Sequence, residues 1–188
     1  MFDVPGVPVS AIQSIPLTTI DGRPATLADW AGKVLLVVNV ASKCGLTPQY
    51  EGLEKLQQTY GARGLVVLGF PANNFLGQEP GTEAEIVEFC STNYSVTFPM
   101  FSKISVTGAD QHPLYAALNT AMPAATGDKE AFRTLLREKG IAMTDDPEVL
   151  WNFEKFLVGR DGSVVGRFAP TLTPDDPALG SAIEAALG

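Results

Sequence analysis

Cys44 is the residue best placed to do chemistry in this chain. It follows the pattern of a buried strand and precedes that of a helix, in Asn39-Val40-Ala41-Ser42-Lys43-Cys44-Gly45-Leu46-Thr47. Unpaired amides at a helix N-terminus carry partial positive charge, so a thiol placed there gives up its proton more readily, and the thiolate is the nucleophile. Lys43 beside it acts in the same direction. The same local pattern also fits an inert cysteine buried as a small apolar residue. The second thiol, Cys90, shares an apolar helical stripe with Ile86 and Phe89. Two cysteines are too few for a disulfide scaffold and fit either free thiols or one reversible bridge. Cys44-Gly45-Leu46-Thr47 lacks the second cysteine of a Cys-x-x-Cys pair, which argues against a general disulfide reductase. The only histidine, His112, is followed by Pro113 and reads as the start of a helix. One histidine and two distant cysteines make no metal cluster, and no metal or other cofactor is expected.

The elements that would position Cys44 follow from periodicity. Pro16 to Leu27 reads as a hairpin around Asp21-Gly22, with Thr26 capping a short helix through Trp30. Lys33 to Val40 is a nearly continuous branched apolar run, which suits a central strand buried on both faces. Gln49 to Tyr60 repeats apolar residues at helical spacing, and Leu65 to Phe70 is a second buried strand. Strand, helix and strand of these lengths imply parallel pairing. Thr82 to Tyr94 opens on a capping box, Thr82-Glu83-Ala84-Glu85, and carries the stripe Ile86, Phe89, Cys90 and Tyr94. A short helix is expected over Pro113 to Ala121, and another around Ala131 to Lys139 within a polar excursion from Pro123 to Pro147. A hairpin of Phe153 to Val158 and Ser163 to Phe168 turns at Arg160-Asp161-Gly162, and a helix from Pro177 to Leu187 ends the series. The expected fold is α/β and thioredoxin-like, a central mixed sheet flanked by helices with an N-terminal hairpin. No repeat or linker divides the chain, so residues 1–188 read as one domain.

Parallel sheets present ligands beyond the carboxyl ends of their strands. Asn73-Asn74-Phe75-Leu76-Gly77-Gln78-Glu79-Pro80 leaves the second central strand there, and Trp151-Asn152 abuts the late hairpin. Taken singly, Trp151 fits core filler, and Gln78 and Asn152 fit loop polars. Together with Cys44 these segments resemble the glutathione peroxidase family from about Pro16 to Phe168. The stretch Asn39 to Gly45 looks like that family's nucleophile motif. Leu68-Gly69-Phe70-Pro71-Ala72-Asn73-Asn74-Phe75 looks like its second signature, and Trp151-Asn152-Phe153-Glu154-Lys155-Phe156-Leu157 like its third. The resemblance implies a thiol peroxidase acting on hydrogen peroxide and organic hydroperoxides. Cys44 would stand where many animal relatives carry selenocysteine, with Gln78, Trp151 and Asn152 around the sulfur as hydrogen-bond partners. Such amide and indole donors stay neutral at working pH and can stabilise a thiolate and a departing oxygen without acting as bases. The product would be a Cys44 sulfenic acid.

The resemblance also bears on how that acid is reduced. Relatives that use thioredoxin carry a resolving cysteine on the corresponding helix, but one residue later, at the position of Ser91 here. Cys90, the only other thiol, is nonetheless the candidate for a Cys44–Cys90 disulfide, with a buried structural thiol as the other reading. A bridge requires α-carbons within roughly 7 Å, so the helix from Thr82 would have to unwind or shift. The segment after Arg167 lacks the arginine pair found there in glutathione-using animal relatives. Thioredoxin is accordingly the expected reductant, with glutathione as the other. The excursion from Pro123 to Pro147 resembles the longer form of oligomeric animal members, which leaves the oligomeric state open.

Bulk properties exclude other classes. A net charge of −8 without a lysine or arginine run makes nucleic acid a poor partner. No stretch approaches the ~20 apolar residues of a membrane helix. Met1-Phe2-Asp3-Val4-Pro5-Gly6-Val7 places an acid and a proline where a secretory signal has basic and then apolar residues, so a cytoplasmic location is expected. Two further readings stand beside the peroxidase. One is a redox-sensing binding protein that relays Cys44 oxidation to a partner, and the other a thioredoxin-like interaction module with inert thiols.

Overall fold

The structure, a computed structural model, describes residues 10–188. The leading segment read above for a secretory signal lies outside the described residues. A small hairpin comes first, β1 (Leu17–Thr18) paired antiparallel with β2 (Pro24–Ala25). Its turn holds Gly22 at a φ of +89°, a conformation that costs glycine nothing. Thr26 then leads into a 3₁₀ turn over Leu27–Trp30, its N–H donating to Asp29 Oδ2 at 3.0 Å.

The branched apolar run forms β3 (Val34–Val40), buried along its whole length. Helix α1 (Gln49–Tyr60) carries the chain back to β4 (Leu65–Pro71), which pairs parallel with β3 from Val34↔Leu65 to Val40↔Pro71. Helices α2 (Glu83–Tyr94), α3 (Pro113–Ala121) and α4 (Lys129–Glu138) follow. The late hairpin is β5 (Lys155–Val158) with β6 (Val164–Phe168), and α5 (Pro177–Leu187) comes last. The sheet order is β4-β3-β5-β6, with β5 antiparallel to both of its neighbours. This is the thioredoxin-like mixed sheet expected from the order of elements. Its two buried faces supply one hydrophobic cluster, in which Leu36, Val38, Leu68 and Phe156 are fully enclosed.

That topology determines what meets Cys44. β3 and β4 run parallel, so both carboxyl ends, Val40 and Pro71, open on one edge of the sheet. β5 runs the other way, with Val38 opposite Lys155, so the residues just before it arrive at the same edge. Loops 41–48 and 72–80 and the pair Trp151-Asn152 therefore converge.

One expectation needs correction. Cys44 does not open the helix, because α1 begins at Gln49 behind a run of turns with Pro48 in the N-cap position. The cause is Thr47, whose hydroxyl donates to the Ala41 carbonyl at 2.8 Å and accepts from the Cys44 N–H at 3.0 Å, holding a separate loop ahead of the helix. α4 also begins at Lys129, a little earlier than the Ala131 of the periodicity, since Asp128 caps it by accepting from the Ala131 N–H at 2.9 Å.

Candidate active site

Cys44 is only 8% exposed and lies at the wall of a cavity of about 290 Å³. Its sulfur accepts a hydrogen bond from the Leu46 N–H at 3.3 Å. The turn after the cysteine thus aims a backbone N–H at the sulfur, the service expected of the helix end. The Lys43 N–H donates to the Gln78 carbonyl at 3.0 Å, which ties the cysteine loop to the loop leaving β4. Leu76 and Gly77 take φ values of +53° and +59°, a reversal that brings Gln78 back toward Cys44.

Gln78 and Trp151 line the cavity with Cys44, and Asn152 does not. Asn152 is fully buried behind them, and its Nδ2 donates to Gln78 Oε1 at 2.9 Å. With its oxygen engaged there, the Gln78 amide has its N–H₂ end free of protein partners among the described residues. Asn152 therefore reaches the sulfur's surroundings through Gln78.

Trp151 is set by packing and by its own backbone. Its ring sits against Phe75 at 5.1 Å between centroids and meets Phe132 of α4 edge-on at 6.2 Å. Asn39 Nδ2 donates to the Trp151 carbonyl at 3.1 Å, and the Phe153 N–H donates to the Asn39 carbonyl at 2.6 Å. Phe153 holds a φ of +66°, an unfavourable backbone state of order 1–3 kcal/mol that persists because Asn39 bonds both the Phe153 N–H and the Trp151 carbonyl ahead of it. Asn39 is thus a positioning residue that the pattern reading did not single out. Its signal was present, as the one amide in an otherwise apolar buried strand.

Helix α4 closes the cavity, and no motif announced it. Phe132, Leu135 and Leu136 of the helix and Lys139 and Ile141 after it line the side facing Cys44. The excursion carrying α4 is pinned by Arg167, whose Nη1 donates to the Met122 and Pro147 carbonyls at 3.0 and 2.8 Å.

Cys90 lies elsewhere. It is buried on α2 against Tyr50, does not line the Cys44 cavity, and both cysteines are free. Burial pushes its thiol up to about 11, with the Tyr50 hydroxyl opposing and the Glu79 carboxylate adding to the rise. A second cavity of about 300 Å³ separates α2 from the cysteine loop, lined by Ser42 and Lys43 on one side and Ile86 and Phe89 on the other. Glu79 also lines it, is 1% exposed, and has its carboxyl raised by burial. His112 begins α3, its Nδ1 accepting from the Leu114 N–H at 3.1 Å. Among the described residues no group of three or more histidine, cysteine, aspartate or glutamate side chains could hold a metal ion.

Comparison with known proteins places this geometry. The family profile described as Glutathione peroxidase matches residues 12–119. The chain is 55% identical over 169 residues to "Thioredoxin/glutathione peroxidase BtuE" of Escherichia coli, covering 89% of this chain and 92% of the relative. It is 47% identical over 172 residues to "Hydroperoxy fatty acid reductase Gpx2" of Synechocystis, covering 92% of this chain and 96% of that one. Among solved structures, "Crystal structure of Trgpx in apo form" superposes with a TM-score of 0.68 at 35% identity, covering 95% of this chain and 96% of the other.

Proposed function

The chain belongs to the glutathione peroxidase family and is a peroxidase, and from this premise we propose that it reduces hydrogen peroxide and organic hydroperoxides with Cys44 as the attacking thiol. The observation that carries this reading is the cavity at which the Cys44 sulfur, Gln78 and Trp151 meet, with Asn152 holding Gln78 from behind. The Cys44 thiolate attacks one peroxide oxygen, the O–O bond breaks, and the second oxygen leaves as alcohol or water after taking a proton. The Gln78 amide and the Trp151 indole N–H stabilise the charge developing on the departing oxygen, and Cys44 is left as a sulfenic acid.

We assign the reset to Cys90 through a Cys44–Cys90 disulfide, which thioredoxin then reduces. The thiol of Cys90 is protonated at neutral pH and buried on α2 against Tyr50, lining neither cavity, so this route requires α2 to move as the bridge forms. That burial favours a second reading, in which glutathione attacks the sulfenic acid directly. The E. coli relative's name includes both reductants. We read the chain as one thioredoxin-like domain acting in the cytoplasm. No helix among the described residues is long and apolar enough to cross a membrane.

The test is intact mass and thiol count after one equivalent of hydrogen peroxide. A loss of about 2 Da with both thiols gone supports the bridge, and a gain of about 16 Da with Cys90 free supports the one-cysteine route. Unchanged mass rejects both. Sustained peroxide consumption with thioredoxin or glutathione, abolished in Cys44→Ser, separates the enzyme from a redox sensor, which would oxidise once and stop.

A further inference from the structure

The cavity over Cys44 has an uneven lining that the peroxidase reading does not use. Apart from Cys44 itself, the only ionisable group on it among the described residues is Lys139, while Phe132, Leu136 and Ile141 make an apolar wall beside it. The mouth is apolar as well. Leu76 is 63% exposed and Leu135 43%, two of the four large hydrophobic side chains left in solvent among the described residues. Apolar side chains grouped at the mouth of a cavity suit an apolar ligand that docks there.

The end of α4 sets Lys139 at this rim. Gly140 takes a φ of +67°, its N–H donates to the Arg137 carbonyl at 3.0 Å, and the Ile141 N–H donates to the Leu136 carbonyl at 2.9 Å. This is a Schellman-type ending, which folds Ile141 back beside Leu136 and leaves Lys139 at the corner between helix and cavity. Lys139 is exposed and joins no ion pair among the described residues, although the chain carries 21 acidic side chains against 13 basic ones. Its charge is thus available to a ligand at the one place where it adjoins the reacting sulfur's cavity.

Resting on the peroxidase reading, we propose that Lys139 is a specificity-determining residue, selecting hydroperoxides whose apolar chain carries a free carboxylate over the corresponding neutral esters. The chain lies on Phe132, Leu136 and Ile141, the carboxylate pairs with Lys139, and the hydroperoxide reaches Cys44. The pair is rim-exposed, so it contributes modestly and is screened by salt.

The test uses the full chain, reduced and free of added reductant, so that no reductant carboxylate competes. A long-chain carboxylic acid hydroperoxide and its methyl ester, each below its micelle concentration, are mixed with protein in quenched flow, and Cys44 loss is counted. Hydrogen peroxide is the reference for each variant. The wild type is expected to favour acid over ester by about three- to fivefold at low salt. That ratio shrinks as salt rises, approaches one in Lys139→Met and inverts in Lys139→Glu. A helix-ending lysine of purely structural value would not move it. Equal ratios in the three proteins, or a wild-type ratio at or below one, overturn the assignment while hydrogen peroxide still oxidises Cys44. Failure of hydrogen peroxide itself to oxidise Cys44 rejects the peroxidase reading, and this assignment falls with it.

Discussion

Asn152 and Gln78 form one unit, because the Asn152 amide N–H₂ is spent on Gln78 Oε1. Removing Gln78 takes away the donor, and removing Asn152 misplaces it. Asn152→Ala is expected to slow Cys44 oxidation by hydrogen peroxide about ten- to hundredfold. Gln78→Ala should do the same, and the double variant should be no slower than the worse single one. Fully additive losses in that cycle would mean that the two side chains act separately. Glu79 offers a test of burial next to the site. Its carboxyl is raised by burial, and its Oε2 has no hydrogen-bond partner. Below the unfolded-state value of about 4.3, both states hold the proton and the group's contribution to stability is fully present. As pH rises through the raised folded value, a carboxylate must form in the interior and that contribution is lost. Glu79→Gln should therefore raise Tm above that of the wild type at pH 8, with a smaller gap at pH 5. Melting curves at the two pH values decide it, and a gap that widens toward pH 5 would contradict the burial argument.

At the scale of elements, α4 has the most to do with function and the least local insurance. It is a ten-residue helix within an excursion, too short to be stable without packing. Two side chains fasten it to the segment ahead of β5, Arg133 through the Thr144 carbonyl at 2.8 Å and Asp146 at 3.2 Å, and Lys129 through Asp146 at 2.6 Å. Its start depends on Asp128 accepting from the Ala131 N–H. Asp128→Ala should cost about 1 kcal/mol, felt locally. Hydrogen exchange should quicken through α4, while the amides of β3 and β4 keep their protection. Uniform loss of protection across the sheet would show that α4 unfolds only with the whole molecule.

Across the whole molecule, one buried charge pair joins the sheet to that excursion. Arg167 Nε donates to Glu154 Oε1 at 2.7 Å, with both side chains fully enclosed. The guanidinium lies 4.7 Å over the Phe156 ring, and Nη1 reaches carbonyls at both ends of the α4 segment. Glu154 Oε2 in turn accepts from the Leu150 N–H at 2.8 Å, directly before Trp151. The network therefore sets two walls of the Cys44 cavity from within the core. Arg167→Met leaves Glu154 buried with Lys129, at 3.9 Å, as its nearest remaining ion-pair partner among the described residues, and should destabilise by about 3–5 kcal/mol in denaturant unfolding. Adding Glu154→Leu should restore much of that loss. If the double variant is as unstable as the single one, the carbonyl contacts of Arg167 rather than its charge pairing hold the segment.

The order of strands and helices, the parallel β3–β4 pair and the prominence of Cys44 were legible because they rest on short-range signals. Apolar runs, caps such as Thr82, and turn residues such as Gly22 act within a few positions of themselves. Gln78, Trp151 and Asn152 were legible as a set through motif likeness, but their division of labour was not. Which amide faces the cavity and which stands behind it depends on the register of β5 against β3, a contact between distant parts of the chain. The helix-end placement of Cys44 failed for a similar reason. The Thr47 hydroxyl and Pro48 hold off the helix, and the Leu46 N–H takes over at the sulfur. Residue order by itself determined the fold class and the family, since both are written in local periodicity and a few short motifs. Only the tertiary structure decided that α4 walls the cavity and that Cys90 is buried apart from it, because burial and enclosure come from surfaces that meet only after the chain has closed on itself.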